Sequence, residues 1–119
     1  FYRLKVLDLS YCSYLERTPN FDCIPQLEKL LLDGCNALND IDTSICLLRN
    51  LNILSMRDCA SLEELPNHIG LQQKGQSSMS NMSKLEELNL QGCEQLQCLP
   101  RLPSSLKRLL LQGCKKLKI

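Results

Sequence analysis

Leucines recur along this chain at a near-constant interval, and that interval is the strongest constraint on its fold. The template Leu-x-x-Leu-x-Leu-x-x-Cys-x-x-Leu begins at Leu4, Leu27, Leu51, Leu85 and Leu106, with a methionine for one leucine in the third copy. Successive starts are 23, 24, 34 and 21 residues apart. Five matches to one template are more than an unrelated sequence would give by chance. A period of roughly 20–50 residues is the signature of a repeat architecture.

Each copy of the template carries the physical pattern of one strand and one return segment. The Leu-x-Leu part has the two-residue alternation of a β-strand with one buried face. A single copy cannot bury its apolar face alone, so the copies must stack, and their strands then pair in parallel. In the third and fourth copies a Leu-x-x-Leu-Pro segment follows the cysteine, and its proline ends regular hydrogen bonding. We therefore predict an α/β leucine-rich-repeat solenoid, a right-handed superhelix of about five repeats with a parallel β-sheet on the concave face and irregular or 3-10 segments on the convex side.

The 119 residues fit one domain. The longest interval contains about ten surplus residues near 71–80, rich in Gln, Ser and Gly, which we interpret as a surface loop insertion that tolerates change or contacts a partner. Because the chain opens with Phe1 and lacks a signal-peptide pattern, we expect it to be part of a longer protein with flanking repeats. The predicted repeats are 4–26, 27–50, 51–84 with the insertion, 85–105 and a truncated 106–119.

The strand alternation also predicts which side chains face outward on the concave face, where a protein partner would bind. The central row is Asp8, Leu31, Ser55, Asn89 and Leu110. The row before it is Val6, Lys29, Ile53, Glu87 and Arg108, and the row after it is Ser10, Asp33, Arg57, Gln91 and Gln112. Tyr11, just past the first strand, is an aromatic hot-spot candidate, or else packs against an upstream repeat. A plain solvated face is the competing interpretation of these rows.

Five of the eight cysteines share one template position, immediately after the strand and the turn that follows it. Such a ladder is better explained by packing than by disulfides, because a buried Cys acts as a small hydrophobe with a weak S–H donor. We therefore predict eight free thiols and a reducing compartment. The ladder residues are Cys12, Cys35, Cys59, Cys93 and Cys114.

Composition argues against several other functions. The net charge of +1 gives no reason to expect a nucleic-acid partner, and no apolar run approaches the ~18 residues of a membrane span. No Cys-x-x-Cys motif indicates zinc. The only histidine, His68, lacks an orienting acid and a nucleophile, so we predict no catalytic site, no metal and no cofactor, and no enzyme activity for this chain.

Three copies read Leu-x-Leu-x-Gly-Cys, at Leu30–Cys35, Leu88–Cys93 and Leu109–Cys114. With the Leu-Pro that follows two of the cysteines, this pattern resembles the repeats of plant intracellular nucleotide-binding leucine-rich-repeat disease resistance proteins of the TIR type. The resemblance implies a cytoplasmic or nuclear recognition module that binds a pathogen effector, contributes to autoinhibition of the nucleotide-binding domain, or both. Any NAD-cleaving or nucleotide-binding activity would belong to other domains of the parent protein.

Two other classes of leucine-rich-repeat protein compete with that interpretation. The substrate-recognition repeats of F-box ubiquitin ligases also place Cys in this position, but they continue with Ile-Thr-Asp and a Gly-Leu pair. Extracellular receptor ectodomains favour Asn in place of the cysteine and Gly-x-Ile-Pro after it. The Leu-x-x-Leu-Pro continuation of this chain favours the disease resistance proteins over both.

Overall fold

The computed structural model describes residues 2–66 and 79–118. His68 and positions 71–78 of the predicted insertion lie outside the described residues. The five repeats supply five three-residue strands, which form one parallel sheet in sequence order. The strands are β1 (Val6–Asp8), β2 (Lys29–Leu31), β3 (Ile53–Ser55), β4 (Glu87–Asn89) and β5 (Arg108–Leu110).

The register of the sheet follows the leucine template without a slip. Leu7 pairs with Leu30, Leu30 with Leu54, Leu54 with Leu88 and Leu88 with Leu109. Main-chain hydrogen bonds extend the pairing beyond the first four strands, because residues two and four past each strand centre still bond to the next repeat. The predicted leucine-rich-repeat solenoid with a parallel sheet is confirmed.

The core is a column of aliphatic side chains on one face of the sheet. Leu30, Leu54 and Leu88 are completely buried, and each contributes roughly 1.5–3 kcal/mol by leaving water. The equivalent Leu7 is half-buried and Leu109 is 36% exposed, because each has a repeat on only one side in the described structure. Burial therefore depends on stacking between neighbours, as expected for a solenoid.

Short 3-10 helices form the convex side, at Phe21–Cys23, Thr43–Leu47 and Met79–Asn81. The first two begin with a side-chain cap, since Asn20 accepts from the N–H of Asp22 at 2.8 Å and Asp42 accepts from the N–H of Ser44 at 3.0 Å. The hydroxyl oxygen of Ser44 also accepts from the N–H of Phe21 at 2.8 Å. These polar contacts tie one return segment to the next, on the side of the core opposite the sheet.

Candidate protein-binding face

A sharp turn after each strand fixes where the outward and inward side chains point. The residue before each ladder cysteine has a left-handed backbone, and in three repeats it is glycine, which adopts this conformation without steric cost. The other two repeats use Tyr11 (φ 64°) and Asp58 (φ 59°). The ring of Tyr11 lies over Gly34, because a Cβ added to that glycine would come within 2.5 Å of Cδ1 of the ring. The five positions are Tyr11, Gly34, Asp58, Gly92 and Gly113.

The turn directs four ladder cysteines toward the preceding repeat. The thiol of Cys35 donates to the carbonyl of Leu9 at 3.1 Å, and Cys59, Cys93 and Cys114 make the equivalent bond at 3.0–3.2 Å. Cys114 is half-buried, and Cys12, in the first repeat, is exposed because no described repeat precedes it. All eight cysteines are free thiols in the structure.

Burial makes the inner thiols poor acids. Desolvation raises the pKa of Cys46 to about 11 and that of Cys93 to about 12, and it raises the pKa of Cys59 still further. The pKa values of Cys35 and Cys114 are also raised by desolvation. These groups are therefore structural donors rather than nucleophiles at neutral pH.

The central row of the concave face is less exposed than strand alternation alone suggests. Asp8 is exposed and Leu31 and Leu110 are half-buried, whereas Ser55 is only 7% exposed and Asn89 only 9%. Both positions carry short polar side chains and lie in the third and fourth of the five strands. The row before it is more open, with Val6 half exposed.

Asp33 links the second and third repeats on this face. Its Oδ1 accepts from the hydroxyl of Ser55 at 2.6 Å and from the N–H of Arg57 at 2.9 Å. In the first repeat an aspartate bonds within its own repeat, because Asp8 accepts from the N–H of Ser10 at 2.9 Å, which lowers the pKa of Asp8. Sequence patterning placed all five residues on one face but gave no signal for these hydrogen bonds.

Two side-chain pairs among the predicted concave-face residues link the fourth and fifth repeats. Arg108 contacts Oε1 of Glu87 through Nη2 at 2.6 Å and through Nε at 2.7 Å. The amide of Gln91 donates to the side-chain oxygen of Gln112. Both pairs run across the strands at the same face, one on each side of the Asn89–Leu110 register pair.

A polar recess of about 490 Å³ lies near the start of the central strands and was not predicted from sequence. Only Lys29 among its lining residues belongs to the predicted face; in the recess Nζ of Lys84 donates to Oδ1 of Asn50 at 3.2 Å. The lining residues come from three separate parts of the sequence and meet only because the repeats stack, so no local motif identifies them. The lining residues are Glu28, Lys29, Asn50, Asn52 and Lys84.

Within 2–66 and 79–118, no three His, Cys, Asp or Glu side chains cluster to hold a metal ion. No helix among those residues is long and apolar enough to cross a membrane. The concave face of the sheet presents polar hydrogen-bonding groups, scattered charges and half-buried leucines.

Known plant proteins contain segments similar to this chain, although no protein-family model matches it. A probable disease resistance protein of Arabidopsis thaliana is 37% identical over 114 residues, covering 95% of this chain and 6% of that protein. Disease resistance protein RPP4 of the same plant is 35% identical over 97 residues, covering 82% and 8%. TMV resistance protein N of Nicotiana glutinosa is 31% identical over 104 residues, covering 87% and 8%.

The chain thus spans less than a tenth of the length of these three relatives. Its similarity to each of them extends over most of its own residues, and its repeats form the solenoid that the resemblance implied. The chain belongs with the leucine-rich-repeat regions of plant TIR-type nucleotide-binding leucine-rich-repeat disease resistance proteins.

Proposed function

We propose that this chain is the protein-recognition module of an intracellular plant immune receptor and that its concave face binds a pathogen effector. The same face would also, or instead, contribute to holding the receptor's nucleotide-binding domain inactive before recognition. The observation that carries the proposal is similarity over 82–95% of the chain to proteins named for disease resistance. The module itself carries out no reaction, requires no cofactor and acts in the cytoplasm or nucleus.

The structure supports a protein partner through the composition of the concave face. Leu31 and Leu110 are half-buried apolar side chains in the central row, and polar or charged residues surround them. Protein interfaces typically combine such an apolar centre with a polar rim. Substituting a leucine at the centre should therefore cost more binding energy than substituting one elsewhere on the surface.

The experiment uses the full-length receptor that carries this chain, expressed in leaves with and without the effector it detects. Leu31→Asp and Leu110→Asp place a charge in the proposed interface, and Leu47→Asp is the matched control, because Leu47 is 48% exposed on the convex 3-10 helix. We expect the first two variants to lose effector-dependent cell death and the control to retain it, at equal protein levels.

Two other results are informative. Cell death without the effector in Leu31→Asp or Leu110→Asp would assign this face to autoinhibition. Full retention of the effector response by both variants would remove the two leucines from the binding site.

A further inference from the structure

Asn89 lies at the floor of the concave face with one hydrogen-bonding group unused. Its Oδ1 accepts from the N–H of Gln91 at 3.1 Å, and because a main-chain N–H can only donate, this contact fixes the orientation of the amide. The Nδ2 group has no hydrogen-bond acceptor within the described part of the chain. Since the residue is only 9% exposed, this donor has little access to water.

An unsatisfied donor at this depth is unusual. Nearly all buried polar groups in folded proteins have a partner, and leaving one without costs roughly 1–3 kcal/mol. A group that bears such a cost within a proposed binding surface gains the most when a partner supplies the missing acceptor. Asn89 therefore restricts the chemistry of the partner more than the exposed residues near it do.

Asn89 has side chains on all four sides of the same face, and we call this group of residues the Asn89 slot. Two residues before it along β4 is the Glu87–Arg108 ion pair, and two residues after it is the Gln91–Gln112 pair. Across the sheet its register neighbours are Ser55 and Leu110. The hydroxyl of Ser55 already donates to Asp33, so Asn89 supplies the free donor at the floor.

Charge decides which acceptor fits. Asp33 beside Ser55 accepts only from uncharged donors, the Ser55 hydroxyl and the Arg57 N–H, so no described ion pair cancels its negative charge. Glu87 adds a second carboxylate at the wall, although Arg108 pairs with it. A carboxylate entering the slot would meet like charge, whereas a neutral carbonyl would not.

We propose that Asn89 of the Asn89 slot donates through Nδ2 to a main-chain carbonyl of the partner protein, between the Glu87–Arg108 and Gln91–Gln112 pairs. This proposal rests on the proposed function, because it assigns a partner chemistry to the same face. The hydrogen bond is expected to discriminate strongly, since a partner without an acceptor there would bury the donor unpaired.

A direct test uses NMR on this chain labelled with nitrogen-15. The probe is N-acetylglycine methylamide, a neutral compound with main-chain carbonyls, and acetate is the charged comparison. We expect the probe to shift the Asn89 side-chain amide resonances saturably and several-fold more than those of exposed Asn39, while acetate leaves them unchanged. Equal shifts at the two asparagines, or an equal response to acetate, would overturn the proposal.

Two variants remove the donor. Asn89→Asp retains an oxygen for the Gln91 N–H and removes only the donor, whereas Asn89→Ala removes both the donor and that oxygen. We expect each to weaken the probe's effect on the Leu110 methyl resonances about tenfold, the equivalent of one hydrogen bond of about 1.4 kcal/mol. If both variants keep a dispersed spectrum and bind the probe like the parent chain, the proposal is wrong.

The leaf assay distinguishes this proposal from the proposed function. Loss of the effector response in both Leu31→Asp and Asn89→Ala supports the two together. Loss in Leu31→Asp with full retention in Asn89→Ala rejects the carbonyl contact and leaves the recognition function intact. Retention in both rejects the carbonyl contact and removes Leu31 from the binding site.

Discussion

The thiol of Cys59 donates to the main-chain carbonyl of Leu32 with an Sγ–O distance of 3.2 Å, and the same carbonyl accepts from the N–H of Cys35 at 3.3 Å. One oxygen thus satisfies a donor of its own repeat and a donor of the next repeat. The pattern recurs at Leu90, whose carbonyl accepts from Cys93 N–H and from the Cys114 thiol. The cysteine ladder therefore connects successive repeats through hydrogen bonds as well as packing.

Removing a ladder thiol should destabilise the stack only where a preceding repeat is present. We expect Cys59→Ala to lower the free energy of unfolding by about 1–2 kcal/mol, from the lost hydrogen bond and a small cavity. Urea unfolding followed by circular dichroism measures the change. Cys12→Ala is the matched control, because that thiol is exposed, and we expect a change below about 0.5 kcal/mol. Equal losses in the two variants would contradict a role for the Leu32 contact.

The leucine interval was sufficient to predict the register of the sheet, because each buried leucine must lie beside its equivalent in the next repeat. It also identified the five cysteines as one structural series. It could not reveal that Ser55 and Asn89 are buried, since strand alternation gives only the face on which a side chain lies and not how far that face is covered. The acceptors of the thiol groups are main-chain carbonyls, which carry no sequence signal.

Tyr11 shows a second limit of the pattern. Glycine in three repeats indicates a left-handed turn before the cysteine, but the first repeat makes the same turn with a tyrosine. The neighbouring repeats impose the conformation, because the N–H of Tyr11 bonds to the carbonyl of Asp33 at 2.6 Å. Tertiary context thus overrides the local preference of the residue.

The buried thiols predict how stability depends on pH. The ordinary thiol pKa of 9.0 applies to the unfolded chain, whereas burial raises the pKa of Cys46 to about 11 and that of Cys93 to about 12 in the folded state. The folded chain therefore holds these protons more tightly, so the thiols' contribution to stability is constant below pH 9 and falls as the pH rises from 9 toward 11. Urea unfolding at pH 7, 9 and 10 measures the decline.

The control for this pH dependence is a variant without one of the buried thiols. We expect Cys93→Ala to be less stable at pH 7 but to lose less stability than the parent chain between pH 9 and 10. Cys98→Ala, at an exposed thiol, should leave the slope unchanged. An identical slope in all three proteins would show that other groups govern the alkaline decline.

The turn glycines should differ in their tolerance of alanine. At Gly34 (φ 72°) an added methyl group meets both backbone strain and the ring of Tyr11, whereas at Gly113 (φ 81°) the nearest atoms are main-chain atoms of Gly92 at 3.4 Å. We expect Gly113→Ala to cost about 1 kcal/mol and Gly34→Ala about 2 kcal/mol by thermal or urea unfolding.

A double-mutant cycle isolates the ring contact. Combining Gly34→Ala with Tyr11→Ala removes the clash and leaves only the backbone strain, so the glycine substitution should then cost the same as at Gly113. If Gly34→Ala is equally costly with and without the ring, the contact between Tyr11 and Gly34 does not contribute.

Asp33 should contribute to stability through its acceptor oxygen rather than its charge. The oxygen Oδ1 accepts from Ser55 Oγ at 2.6 Å and from Arg57 N at 2.9 Å, and both donors belong to the next repeat. Asp33→Ala removes the two bonds and leaves the nearly buried Ser55 hydroxyl without its acceptor, so we expect a loss of about 1–3 kcal/mol in the free energy of unfolding. Asp33→Asn keeps an oxygen at the same position, and its loss of unfolding free energy should stay below about 1 kcal/mol because only the charge assistance is removed.

Urea unfolding of both Asp33 variants in low and in high salt separates the hydrogen bonds from the charge. The loss caused by the alanine variant should persist in high salt, since it comes from short-range hydrogen bonds. Equal losses for the alanine and asparagine variants would show that the negative charge, and not the bridge to the third repeat, is what Asp33 contributes.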